Sequence, residues 1–133
     1  MKTIEEIRET FKKDRFAALL GMTVEEATEE RVVCSVDIRE DFANGMGEVQ
    51  GGLIFTLADF AFAVAANLER IGTVTLDSTI RFVRAPKSGP LTATARNRHD
   101  GRSVQIYDVE VQDGGGRLVA LATATGYRGT PAS

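Results

Sequence analysis

The spacing of hydrophobic positions changes character several times along the chain. Near the start, Ile4, Ile7 and Phe11 recur at helical spacing, and Thr3 with Glu6 has the form of a capping box. Gly21 after Leu20 is a stop signal. This predicts one amphipathic helix over residues 3–20, a flank rather than a core. From Thr23 to Ile38 the period becomes two: Val32, Cys34, Val36 and Ile38 share one face, and Val33, Ser35 and Asp37 take the other. That is a half-buried strand, with a shorter strand near residues 23–28 placed to form a hairpin with it. Cys34 reads as a small core residue.

Between Gly51 and Asn67 the chain is apolar on every face, with one carboxylate, Asp59, in the middle. A helix that is hydrophobic all round must be covered on all sides. Gly72 breaks the run, and strand character then dominates. Over residues 73–85, Val74, Leu76, Ile80 and Phe82 alternate with Thr75, Asp77, Thr79 and Arg81. A turn over 86–90 leads to a strand over 91–99, and Asp100-Gly101 predicts a two-residue hairpin. A strand over 103–112, a glycine turn over 113–116 and a strand over 118–127 complete the pattern. The order α, β, β, long α, four β, joined late by short turns, predicts an α+β fold with an antiparallel sheet of five to six strands around the long helix. One sheet covers one side of that helix, so a second subunit is expected on the other.

At 133 residues, with 43% hydrophobic and 26% charged side chains, the chain reads as a single domain over 1–133, with a frayed tail over 128–133. Asp59 interrupts the only stretch that approaches a membrane span, so no membrane association is expected. The opening Met-Lys-Thr-Ile-Glu-Glu lacks the apolar run of a secretory leader, and one cysteine allows no internal disulfide. The expected location is cytoplasmic. Net charge is −3, unevenly spread: residues 1–70 hold 8 basic and 14 acidic side chains, residues 71–133 hold 8 and 5. Dispersed basic residues on an acidic chain point away from nucleic acid.

Gly51 and Gly52 open the long helix, where backbone N–H groups lack partners and the macrodipole favours negative charge. Such a pair is a candidate oxyanion site, and Gly52 would also border the substrate. Asp59 follows eight residues after Gly51, about 12 Å along one helix. That is far for both to serve one carbonyl within a subunit, so the spacing favours a site between two subunits. Asn44 and Gln50 add amides to the preceding loop; Asn44-Gly45 is also a plain turn signal. Phe55, Phe60 and Phe62 could line an apolar pocket, although aromatic residues on a buried helix commonly belong to the core. Arg84, Lys87, Arg98 and Arg102, near turns in the basic half, are candidates for a phosphorylated ligand. His99 sits beside a turn and reads as a surface residue. One histidine, one cysteine and no spaced carboxylate cluster predict no metal. The 114–116 glycines lack the Lys-Ser/Thr of a phosphate loop.

The motif Asn44-Gly-x-Gly-x-x-Gln-Gly-Gly-x-x-Phe-x-Leu-Ala-Asp59, with Ser78-Thr-Ile-Arg-Phe and Leu91-Thr-Ala-Thr-Ala, resembles the hotdog-fold acyl-CoA thioesterases of the phenylacetate-degradation type. These are relatives of one class of 4-hydroxybenzoyl-CoA thioesterase. The resemblance spans residues 15–128. It implies a sheet wrapped round a central helix, dimers with two shared sites, usually assembled as homotetramers, and an acyl-CoA substrate with no cofactor. It implies that Asp59 is the catalytic carboxylate, as nucleophile or as base for water. Gly51 would supply the amide that polarises the thioester carbonyl, and Asn44, from the partner, would hold the water or carbonyl. Gln50 stands where the family usually has histidine, and glutamine cannot be protonated near neutral pH. Two functions remain in view: hydrolysis of an aryl-, short- or medium-chain acyl-CoA, and binding of such a ligand without hydrolysis. Dehydration, which hotdog relatives perform with a histidine near the helix, lacks that histidine here.

Overall fold

The computed structural model describes residues 2–129; of the expected tail, 130–133 lie outside the described residues. The N-terminal segment is two helices rather than one: α1 (Ile4–Phe11) and α2 (Arg15–Leu20). Thr3 caps α1 as expected, its hydroxyl accepting from the Glu6 N–H at 3.1 Å. The break follows from Asp14. Its carboxylate accepts the Ala17 N–H at 3.0 Å and starts a new helix, and a short acidic side chain that binds nearby backbone competes with helix continuation. Gly21, left-handed at φ 82°, ends α2. The pair is also more than a flank, since Ile7 and Ala17 are buried in the core.

Six strands follow: β1 (Thr23–Ala27), β2 (Val32–Val36), β3 (Thr73–Phe82), β4 (Leu91–Asp100), β5 (Val104–Gln112) and β6 (Leu118–Arg128). They form one antiparallel sheet in the order β1-β2-β4-β5-β6-β3. The long helix α3 (Gly51–Ala66) lies against its inner face. The facing strand positions are small or β-branched: Val32, Cys34 and Val36, then Ala93 and Ala95, Val109 and Val111, Ala120, Ala122 and Ala124, all buried. Alanines on β4 and β6 let the helix approach, and Leu53, Ile54, Leu57, Phe60, Phe62 and Val64 fill the space between. Gly126 is required by that approach, because a Cβ there would lie 2.8 Å from the buried Phe62 ring. Phe62 in turn meets Tyr107 edge to face, with centroids 5.5 Å apart.

Three sequence expectations shift. The β4–β5 pairing runs through Asp100 and Gln105, and the Gly101 N–H donates to the Val104 carbonyl. The hairpin tip is therefore Arg102-Ser103 rather than Asp100-Gly101, displaced by an irregularity between Asn97 and His99. At the end of β6, Arg128 is ordered strand rather than tail. Its guanidinium donates to Thr73 Oγ1 at 3.1 Å and to the Ala66 carbonyl at 2.9 Å, placing a cation at the C-terminus of α3.

The third shift concerns β3. Its register against β6 carries a bulge between Thr75 and Asp77. Thr75 pairs with Gly126 and Ser78 with Ala124, both of which are inner-face positions. Thr73 and Thr75 therefore face α3 before the bulge, and Ser78, Ile80 and Phe82 after it. Val74 and Leu76, expected on the same side as Ile80, instead stand 62% and 58% exposed. β3 is a sheet edge, and Val74, Leu76 and Phe82 are exposed along it among the polar Thr75, Asp77, Thr79 and Arg81.

Candidate active site

The uncovered side of α3 is a single stripe. Gly52 and Phe55 are exposed and Thr56 and Asp59 half-buried; the last three follow Gly52 by 3, 4 and 7 residues, a spacing that one helical face collects. The helix is thus apolar all round in composition, but the sheet and N-terminal helices cover only part of it.

Gln50 takes the N-cap position with extended backbone and makes no side-chain capping bond. Its own N–H is held by the Phe42 carbonyl at 2.8 Å, and Leu53 N–H returns to the Gln50 carbonyl at 3.0 Å. Among the described residues, the Gly51 and Gly52 N–H groups donate to no protein acceptor. They are the unsatisfied donors of a helix N-terminus, where negative charge is favoured. The two glycines differ in surroundings. A Cβ on Gly51 would rest 3.4 Å from the Phe82 ring, whereas Gly52 has only its neighbour Gln50 nearby at 3.7 Å. Close approach from solvent is therefore possible at Gly52, with Phe82 closing the other side.

The loop before α3 is built by Asn44. Its Oδ1 accepts the Met46 N–H at 2.9 Å and the Glu48 N–H at 3.1 Å, while Gly47 N–H donates to its carbonyl. Gly47 carries the positive φ, 80°, that this tight turn needs. The carboxamide oxygen of Asn44 is thus committed to the turn, which leaves its NH2 group for a ligand.

Asp59 lies mid-helix opposite the β3 edge. Its Oδ1 accepts a hydrogen bond from Thr75 Oγ1 at 3.1 Å. Burial pushes the Asp59 carboxyl above its ordinary value, the Thr75 hydroxyl draws it partly back, and the Asp14 carboxylate adds to the upward push. The sequence alone did not single out Thr75 or Asp14. Thr75 lay on the polar side of an alternation that the bulge reverses, and Asp14 was inside a helix that the structure breaks.

Of the remaining candidates, Phe55 is on the open stripe at 39% exposure, while Phe60 and Phe62 are core. Arg84 and Lys87 follow Phe82 and lie exposed at the Gly51 end of the fold. Asp113, itself buried, fixes this segment: it accepts the Lys87 N–H at 3.1 Å as well as the Gly115 and Arg117 N–H groups. Those bonds, Lys87 first, hold its carboxyl below the ordinary value. Arg98 and Arg102 are not brought together with them. They sit at the opposite end of the sheet, roughly 27 Å away by the rise of eight strand residues, and Arg98 pairs with Asp108 at 3.3 Å. His99 is exposed at that same distant end. Among the described residues no group of three or more His, Cys, Asp or Glu could hold a metal, and no helix is long and apolar enough to cross a membrane.

An antiparallel sheet curled round one central helix, with free N–H groups at the helix start and a carboxylate on its open stripe, is the hotdog fold in an α+β chain. The chain belongs to the thioesterase superfamily, whose family model matches residues 46–120, and it is a thioester hydrolase. It is 34% identical over 119 residues to the acyl-coenzyme A thioesterase PaaI of Escherichia coli, covering 89% of this chain and 85% of that one. The solved structure of the E. coli PaaI protein, from the phenylacetic acid degradation operon, superposes with a TM-score of 0.86 at 32% identity, covering 92% and 89% of the two chains. A Thermus thermophilus structure is similar at a TM-score of 0.80 and 34% identity, covering 86% and 97%.

Proposed function

We propose that the protein hydrolyses an acyl-CoA thioester to free acid and coenzyme A, at a site shared by two copies of the chain. The observation that carries this reading is the open stripe of α3. It presents unpartnered N–H groups at Gly51 and Gly52 and, two turns on, the Asp59 carboxylate. A thioester carbonyl oxygen seated on the Gly51 and Gly52 donors gains negative charge as the carbonyl carbon is attacked, and fixed donors aimed at that charge lower the barrier. Asp59 attacks the carbonyl carbon, or takes a proton from the water that does. The coenzyme A thiolate leaves without needing a strong general acid.

Eight residues of helix, about 12 Å, separate Gly51 from Asp59. The carbonyl on one chain's glycines is therefore served by the other chain's Asp59. The free β3 edge, with Val74, Leu76 and Phe82 exposed on it and Val83 exposed just after it, supports pairing there. A free edge strand and an uncovered helix stripe lie side by side, and one partner covers both. The homotetramer implied by the resemblance would stack two such dimers. The Asn44 NH2 group donates to the water or carbonyl, Gln50 hydrogen-bonds without exchanging protons, and Arg84 with Lys87 meets the coenzyme A phosphates. Phe55 borders the substrate from the stripe.

The test is release of free thiol from aryl-, short- and medium-chain acyl-CoAs. Turnover of at least one ester is expected. Tight calorimetric binding with no thiol released from any of them would favour the non-hydrolytic reading instead.

A further inference from the structure

Beside the helix start lies an open groove of about 420 Å³, bounded by Phe16 and Leu20 of α2, by Phe42 and Ala43, and by Gln50, Gly52, Leu53 and Thr56. Its size falls within the range of small-molecule sites. Two of its lining residues, Gln50 and Gly52, belong to the helix N-terminus itself, so the groove opens where the carbonyl is placed. α2 runs back along α3: Asp14 at its start is near enough to act on Asp59, and Phe16 and Leu20 share the groove with Leu53 and Thr56.

A brace holds the two walls. The Arg39 guanidinium stacks over the Phe42 ring at 4.3 Å and donates to the Leu19 carbonyl at 3.3 Å, at the end of α2. Phe16 is 57% exposed although it borders the groove, so its ring is available to an apolar group that enters.

Resting on the acyl-CoA reading, we propose that this groove receives the acyl portion of the substrate, that the preferred acyl group is a neutral apolar one such as a single aromatic ring or a medium chain, and that Phe16 determines specificity, with Arg39 as a positioning residue. The Asp41 carboxylate at the rim is paired with the Arg39 guanidinium at 3.7 Å. It is the apolar wall of Phe16, Leu20, Phe42, Ala43 and Leu53 that disfavours an acyl group ending in a second carboxylate, since it offers nothing in place of that group's water. An acetyl group is too short to reach Phe16, and a phenylacetyl or hexanoyl group packs against it.

The experiment compares kcat/KM for acetyl-, hexanoyl-, phenylacetyl- and succinyl-CoA in wild type, Phe16→Ala and Leu19→Ala. Leu19 is on the same helix, and its side chain does not line the groove. Phe16→Ala is expected to lose about tenfold on hexanoyl- and phenylacetyl-CoA, the scale of a lost apolar contact in a pocket, while acetyl-CoA stays within about twofold. Leu19→Ala keeps the wild-type ratios. Arg39→Lys raises KM for the longer esters more than it lowers kcat. An equal loss on all esters in Phe16→Ala, or unchanged ratios, overturns the inference while leaving hydrolysis intact. No thiol from any ester with wild type overturns both readings together.

Discussion

The carboxylate of Asp59 on α3 and the hydroxyl of Thr75 on β3 are hydrogen-bonded at 3.1 Å. The bond favours the ionised form of an acid whose carboxyl burial pushes above its ordinary value. Replacing Thr75 with valine removes the donor at nearly constant volume and raises the Asp59 value further. Since the reaction needs the carboxylate, the acid limb of the kcat/KM pH profile is expected to move to higher pH. Asp14→Asn should move it the other way, because asparagine retains the capping role and loses the charge. Matching shifts of the two variants, in one direction, would contradict this assignment.

Asp59→Asn separates function from stability. The folded carboxyl sits above its unfolded value, so the fold favours the protonated group. The stability this brings is full below the unfolded value and is lost as pH rises through the folded one. At neutral pH the ionised side chain is a net cost, and the neutral amide removes it. We expect a higher Tm than wild type at pH 7, with the gap closing on acidification, measured by thermal denaturation. Activity should fall: a loss of about 10²–10⁴-fold fits a general base, and a larger one fits a nucleophile.

Gly51→Pro tests the oxyanion donors. Proline is favoured at the first helical position, and the extended Gln50 before it suits an X-Pro bond. The helix should persist with one N–H deleted, and kcat should drop by about 100-fold or more. Gly51→Ala retains the donor and brings a methyl into ordinary contact with Phe82. It is expected to stay within about tenfold of wild type, the margin that separates donor loss from crowding.

Leu76→Lys tests the shared site. The side chain is 58% exposed on the free edge, so a lone subunit should tolerate the charge, whereas an edge-to-edge pair should not. Sedimentation velocity is expected to show smaller species, with thiol release lost in proportion. Full activity in a monomeric variant would place the whole site within one chain.

Gln50→Ala should lower kcat/KM with little change in Tm, because the side chain makes no capping bond. A fall in Tm comparable to loss of a Ser or Asp cap, about 1 kcal/mol, would mean that Gln50 serves the helix rather than the substrate.

Much of this is legible in the amino-acid sequence. Period-two runs located five of the strands to within a few residues, and the all-apolar run with glycines at its head located α3. Asp59, Gly51 and Gly52 were visible because a carboxylate and a helix-initial glycine pair are chemically out of place in a core segment. What the chain concealed was set by local competition and by partners distant in sequence. Asp14 splits the first helix by capping, a contest decided by one side-chain bond. The hairpin tip moved because a bulge between Asn97 and His99 changed the count. Phe16 and Leu19 of α2 reach Phe42 and Arg39 only through the tertiary fold, and the carboxamide oxygen of Asn44 is occupied by two N–H groups that a motif does not reveal.

The bulge in β3 makes strand length part of the acid–base chemistry. With Leu76 accommodated as an extra residue, Thr75 points at Asp59 while Ser78, Ile80 and Phe82 still face the helix. In a regular strand anchored at Phe82, the residue facing Asp59 would be Leu76, an alkyl group that offers no hydrogen bond and leaves the upward push of burial on the carboxyl unopposed. Losing one residue at the bulge leaves Thr75 facing inward, whereas adding one between the bulge and Phe82 forces a second irregularity or turns Thr75 away. Tolerance to single-residue insertions and deletions along β3 should therefore be sharply asymmetric, with the working pH of the enzyme as its readout.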